Sequence, residues 1–136
     1  MTIAQRLQVA AGILIDASGR VLITERLGDS PFAGLWEFPG GKLQGDETPA
    51  EAMVRELREE LAVEVGDSEH FMHLMHEYAD RSVELDFFLV HSWQREPIAC
   101  DGQAMEWRFP ADISVAELLP ADGPVLEALL GRDRRV

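Results

Sequence analysis

From Asp46 to Glu64 the chain sets seven acidic residues into a segment whose apolar residues return at helical spacing. Met53, Val54, Leu57 and Leu61 fall on one face, so this segment has to pack as an amphipathic helix against the rest of the chain. Thr48 suits the N-cap, Pro49 the first helical position, and Glu51 completes a capping box, which predicts a helix from Thr48 to Leu61. At about 100° per residue, Glu56, Glu59 and Glu60 share one arc roughly 100° wide beside the apolar face. Glu56 and Glu60 are like charges four residues apart, a pairing that costs a few tenths of a kcal/mol in a solvated helix. Two readings stand: a solvated acidic face, or carboxylates converging on a hard divalent cation such as Mg²⁺ or Mn²⁺.

Around this helix the pattern is mostly strand. Leu7–Ile15 and Val21–Ile23 read as two strands joined by the turn Asp16-Ala17-Ser18-Gly19. Gly28–Gly34 reads as a loop, and Leu35–Phe38 as a short strand leading into Pro39-Gly40-Gly41. Val65–Tyr78 and Ser82–Trp93 read as two long strands about a turn at Ala79-Asp80-Arg81, and Met105–Phe109 as another short one. Ser114–Leu119 and Pro124–Leu130 read as helices, with Gly131 ending the second and 132–136 a frayed basic tail. This order predicts an α/β fold of mixed layers, without repeated βαβ units. At 136 residues the chain fits one domain, 1–136.

Charge narrows the function. Twelve Lys and Arg stand against 25 Asp and Glu, a net charge of −13. Duplex binding depends on cations neutralising phosphates, so nucleic acid is not expected as a partner. No basic amphipathic stretch or long apolar run points to a membrane. Cys100 is the only cysteine, so no internal disulfide can form, which suits a reducing, cytoplasmic setting. A phosphorylated small molecule remains open if bound cations reverse the local field.

Pro39-Gly40-Gly41-Lys42 brings two glycines, and the chain's only lysine, up to the acidic helix. Glycine lets backbone approach a ligand closely. Gly41, Glu47 and then Arg55-Glu56-Leu57-Arg58-Glu59-Glu60-Leu61-Ala62-Val63 resemble the Nudix box of the Nudix hydrolases, G-x5-E-x7-R-E-U-x-E-E-x-G-U, over residues 41–63. Ala62 departs, standing where that family has Gly, and a small local adjustment of the helix exit is expected there. Leu35–Lys42, Asp101-Gly102-Gln103, Glu106-Trp107 and Leu119–Pro124 extend the resemblance to the MutT-like branch.

The resemblance implies a Nudix-type α-β-α sandwich around a mixed sheet, and Mg²⁺-dependent hydrolysis of a nucleoside triphosphate to monophosphate and pyrophosphate, the enzyme acting as monomer or homodimer. An oxidised nucleotide such as 8-oxo-dGTP is the implied substrate, with modified dCTP as alternative. A Nudix-fold domain that only binds nucleotide is the rival from another class. Carried over by position, Glu56, Glu59 and Glu60 hold metal with the Gly40 carbonyl, and Asp101 is a further ligand or base. Arg26, Glu37, Phe38, Pro39, Gly40 and Asp122 bind substrate, Tyr78 and Arg81 lie near it, and Glu47 with Arg55 braces the loop-helix-loop. An ionised Asp122 offers only acceptors, so a base presenting an amino group is expected in preference to thymine.

Other signals carry less. Strand alternation would put His70 and His76 on one face and His73 on the other, a poor metal cluster. Trp36, Trp93 and Trp107 read as core or pocket wall, and Cys100 has no catalytic partner.

Overall fold

The computed structural model describes residues 5–133. The chain runs β1 (Gln5–Leu14), β2 (Val21–Glu25), β3 (Trp36–Glu37), β4 (Gly40–Lys42), α1 (Pro49–Leu61), β5 (Glu64–Val65), β6 (Ser68–Tyr78), β7 (Arg81–Val90), β8 (Trp93–Gln94), β9 (Met105–Arg108) and α2 (Gly123–Asp133). β1 lies central in a mixed four-stranded sheet of order β4-β1-β7-β6, parallel to β7 and antiparallel to β4. β3-β2-β9 and β5-β8 form two smaller antiparallel sheets.

Alternation along β1 divides the interior in two. Ala10 and Leu14 pack with Leu22, Phe88 and Val90 under α1, which contributes Ala52, Met53, Leu57 and Leu61. Ala11 and Ile13 face the other way, onto Val125, Leu126 and Leu129 of α2. Helices therefore cover both faces, as the α-β-α reading requires. Trp93 and Trp107 stack at 5.8 Å beside the α1 core, while Trp36 packs on the α2 side. Among the described residues no helix is long and apolar enough to cross a membrane.

The helix over 48–61 forms as its residues dictate, with both halves of the Thr48–Glu51 capping box made. At its exit Ala62 takes the left-handed conformation (φ 59°, ψ 30°) and donates its N–H to the Arg58 carbonyl. Four expectations need correction. The Val65–Tyr78 strand breaks at Gly66-Asp67, whose N–H groups turn onto the Ser92 carbonyl and hydroxyl, both at 2.8 Å. A bulge between His70 and Met72 shifts the alternation of β6. His70 and His73 therefore share a face, paired with Asp86 and Glu84 at 2.8 and 3.0 Å, and His76 packs on Tyr78 across the strand. Ser114–Leu119 is only a 3₁₀ turn at Val115–Glu117, because Leu118 leaves to bridge Trp36. Gly131 does not end α2; the helix continues to Asp133, carried by the docking of Val125, Leu126 and Leu129. Of the expected tail, 134–136 lies outside the described residues.

Candidate active site

Gly40 and Gly41 pair with Ala11 and Ala10 of β1 while α1 lies directly over them. A Cβ on Gly40 would strike the Ala10 carbonyl, and one on Gly41 would strike the Glu56 carboxyl. Two glycines thus let backbone pass between strand and helix, and the Glu56 carboxylate rests on Gly41.

Arg55 organises the upstream side. Its Nε and Nη2 hold Glu47 in a two-point ion pair at 2.6 and 2.9 Å, and Nη2 also donates to the Lys42 carbonyl at 3.0 Å. The guanidinium keeps the Glu47 carboxyl below its ordinary range, helped by the Gln44 N–H. Its Nη1 reaches Glu56 at 2.9 Å and the more exposed Glu59 at 3.2 Å. The three helix carboxylates therefore share an arc without converging. Among the described residues no three acidic, histidine or cysteine side chains stand close enough to hold an ion as they are.

Glu60 turns the other way. Burial, then the charges of Glu56, Glu37 and Asp101, push its carboxyl up to about 8, with the Gly40 N–H pulling back. Asp101 arrives there because residues 98–103 cover the end of α1: Ile98 N–H donates to the Leu61 carbonyl at 2.8 Å and Cys100 N–H to the Glu60 carbonyl at 3.1 Å. Glu60 and Asp101 line a polar cleft of about 240 Å³ with Thr24, Arg26, Glu37, Gly40 and Gln103. Glu60, Asp101, Glu37 and Glu25 line the cleft and Glu56 lies beside it; as hard oxygen donors they suit a divalent cation of the Mg²⁺ class in chemistry, once the side chains draw together.

A second cavity, of about 230 Å³, adjoins the first through Arg26, Glu37 and Gly40. Its floor is apolar (Val9, Val83, Leu85, Phe87) and its walls include Phe32, Phe38, Tyr78 and Arg81. Phe32 meets Tyr78 edge-to-face at 5.7 Å. Arg26 pairs with Glu37 at 3.1 Å, yet burial still lifts the Glu37 carboxyl above its ordinary range.

Asp122 closes the far end. It is 4% exposed, and its Oδ2 accepts the Phe38 N–H at 3.0 Å. Leu119 N–H donates to the Trp36 carbonyl at 3.0 Å, strapping this segment to β3. Burial pushes the Asp122 carboxyl up to about 7, the Phe38 N–H opposing. Burial thus favours the protonated carboxyl, the form in which Asp122 could donate as well as accept.

Of the residues singled out from sequence, Arg26, Glu37, Phe38, Gly40, Tyr78, Arg81 and Asp122 line the apolar cavity, and Glu60 and Asp101 the polar cleft. Glu56 and Glu59 sit beside the cleft on Arg55. Pro39 lines neither cavity; its carbonyl accepts the Gly12 N–H at 2.9 Å and holds β1. Phe32 and Thr24 went unnoticed, since no motif marks a lone Phe in a loop or a Thr in a strand, and Gln103 was noted within Asp101-Gly102-Gln103 without a role of its own.

Comparison with known proteins places this geometry. A family model described as NUDIX domain matches residues 6–129. An 8-oxo-dGTP diphosphatase of Escherichia coli (strain K12) is 38% identical over 125 residues, covering 92% of this chain and 97% of the relative. A CTP pyrophosphohydrolase of the same strain is also 38% identical, over 124 residues and 91% of each chain. The solution structure of the E. coli ORF135 protein superposes with a TM-score of 0.84 at 35% identity, covering 96% of this chain and 93% of that one.

Proposed function

The chain belongs to the Nudix hydrolase family, in its MutT-like branch, and on that premise we propose that it hydrolyses 8-oxo-dGTP, or a closely similar oxidised nucleoside triphosphate, to the monophosphate and pyrophosphate. The observation that carries this reading is the pair of joined cavities. One is apolar and aromatic with a polar end at Asp122, as a base requires; the other is lined by carboxylates, as a cation-bound polyphosphate requires. We read the whole chain, 1–136, as one domain working as monomer or homodimer in the cytoplasm.

Nudix hydrolases generally need a divalent metal, and here Mg²⁺ is proposed, with Mn²⁺ as substitute. Glu56, Glu59, Glu60, Asp101 and the Gly40 carbonyl would hold it. When bound, such an ion offsets the charge of the triphosphate and lowers the pKa of attacking water. The residues do the rest. To reach such an ion Glu56 and Glu59 would have to leave Arg55, whose bonds to Glu47 and the Lys42 carbonyl would keep the loop before α1 braced. A water oxygen attacks a phosphorus within the triphosphate, a phosphoanhydride P–O bond breaks, and pyrophosphate leaves. Asp101, at the open rim, is placed to take the water proton or complete the cation's ligands. Arg26, on the wall between the cavities, faces substrate from both sides.

Modified dCTP is the second reading. The CTP pyrophosphohydrolase relative is as similar as the 8-oxo-dGTP diphosphatase, and an ionised Asp122 can accept the cytosine amine as readily as a guanine N–H. The test of the proposed chemistry is phosphorus NMR of the products from 8-oxo-dGTP, first in EDTA and then with excess Mg²⁺. Pyrophosphate and monophosphate should appear only after Mg²⁺; orthophosphate, or turnover in EDTA, would overturn the reading.

A further inference from the structure

Gln103 is 8% exposed, one of three buried polar or charged side chains among the described residues. It lies in the polar cleft without belonging to the acidic set. Its Oε1 accepts the backbone N–H of Asp101 at 3.0 Å, and its Nε2 donates to the Glu60 carbonyl at 3.4 Å. Partner chemistry fixes the amide's orientation: an N–H needs the oxygen and a carbonyl needs the NH₂. Gly102, between the two contacts, holds a left-handed turn at φ 76°. The Glu60 carbonyl also receives the Cys100 N–H at 3.1 Å, so one carbonyl in the last turn of α1 anchors two residues of the loop.

We propose that Gln103 is a positioning residue for the reaction, fixing the Asp101 carboxylate against Glu60 by bridging the Asp101 N–H to the end of α1. Asp101 itself is exposed and has no side-chain partner among the described residues, so backbone anchoring is what aims it. Without the bridge its N–H turns to water, and the turn at 99–102 keeps only its internal Gly102–Ala99 hydrogen bond and the Cys100 N–H on the Glu60 carbonyl, neither of which holds Asp101 itself. Only an amide meets both needs at this reach: a Glu would lack the donor and add charge, and a Met would offer neither. The proposal rests on the role given to Asp101 above.

The test is a cycle of Gln103→Met, Asp101→Asn and the double variant, each measured for kcat, KM and Mn²⁺ binding, with amide exchange of Asp101 followed by NMR in metal-free protein. Gln103→Met should speed exchange at Asp101, lower kcat and Mn²⁺ affinity by about tenfold or more, and move KM less than about threefold. In the Asp101→Asn background it should change kcat by less than about twofold, since the residue it positions is already gone. Gln103→Glu, which keeps the acceptor, should protect the Asp101 amide better than Gln103→Met does. Independent effects that multiply in the double variant would overturn the proposal, as would unchanged exchange at Asp101, or full activity in Gln103→Met or Asp101→Asn. Wild-type product release is the baseline, so failure here is separate from failure of the proposed chemistry.

Discussion

The Asp122 carboxyl accepts the Phe38 backbone N–H at 3.0 Å, joining residues 84 positions apart across the end of the apolar cavity. One oxygen is spent on structure, leaving Oδ1 without a partner among the described residues and available to a ligand. Fold and the proposed recognition of the base meet in one side chain, and their demands can be separated by substitution and by pH.

Stability should depend on Asp122 in a defined window. Burial lifts its carboxyl from 3.8 to about 7, so between those values the folded protein keeps a proton that the unfolded chain has lost. Stability therefore falls as pH rises from about 4 to about 7, and the penalty is constant above that. Asn keeps the acceptor for Phe38 without ionising. The melting temperature of Asp122→Asn should match wild type near pH 4 and exceed it near pH 8 by the order of several degrees. A difference that does not vary with pH would remove the buried carboxyl from the account.

Asp122→Ala should lower kcat/KM by the order of 1–3 kcal/mol for bases that present an amino group, through groups left unpaired. Thymidine triphosphate should be a poor substrate of both proteins. Equal kcat/KM for wild type and variant across bases would show that Asp122 reads none of them.

Glu60→Gln keeps shape and the Gly40 contact but removes the charge. We expect kcat to fall by at least the order of 10²-fold at saturating Mg²⁺. Metal-free Glu60→Gln should melt at or above wild type at pH 8–9, where wild type carries the buried charge against Glu56, Glu37 and Asp101. Near-normal turnover would end its assignment as a ligand.

Ala62 pays for its left-handed conformation, and Gly would not. Ala62→Gly should stabilise the protein by about 0.5–1 kcal/mol, seen in denaturant midpoints, with kcat within about twofold of wild type. Destabilisation would mean that packing of the methyl outweighs the backbone.

Much of this architecture was legible in the residues themselves. The capping box and the 3.6-residue pattern located α1, and box spacing found Glu47, Arg55, Glu56, Glu59 and Glu60. Spacing could not say where those carboxylates point, because Arg55 claims Glu56 and Glu59 while Glu60 enters the cleft that Asp101 also lines. The bulge in β6 reversed the faces of the histidines, since one extra residue is invisible to alternation. Ser114–Leu119 misled for a related reason: its capping box is real, but Leu118 gains more by bridging Trp36 than by continuing the helix. Phe32 meets Tyr78 far away in sequence, and no local pattern marks it; Gln103 sits in the Asp101-Gly102-Gln103 segment, but nothing local shows that its amide reaches back to the Glu60 carbonyl.

The most direct test of the central claim is a comparison of kcat/KM for 8-oxo-dGTP, dGTP, a modified dCTP and thymidine triphosphate, with Mg²⁺ and pyrophosphate as the measured product. The account predicts 8-oxo-dGTP foremost, with dGTP and the dCTP analogue ahead of thymidine triphosphate. Pyrophosphate release that is equal for all four, or absent for all four, would contradict it.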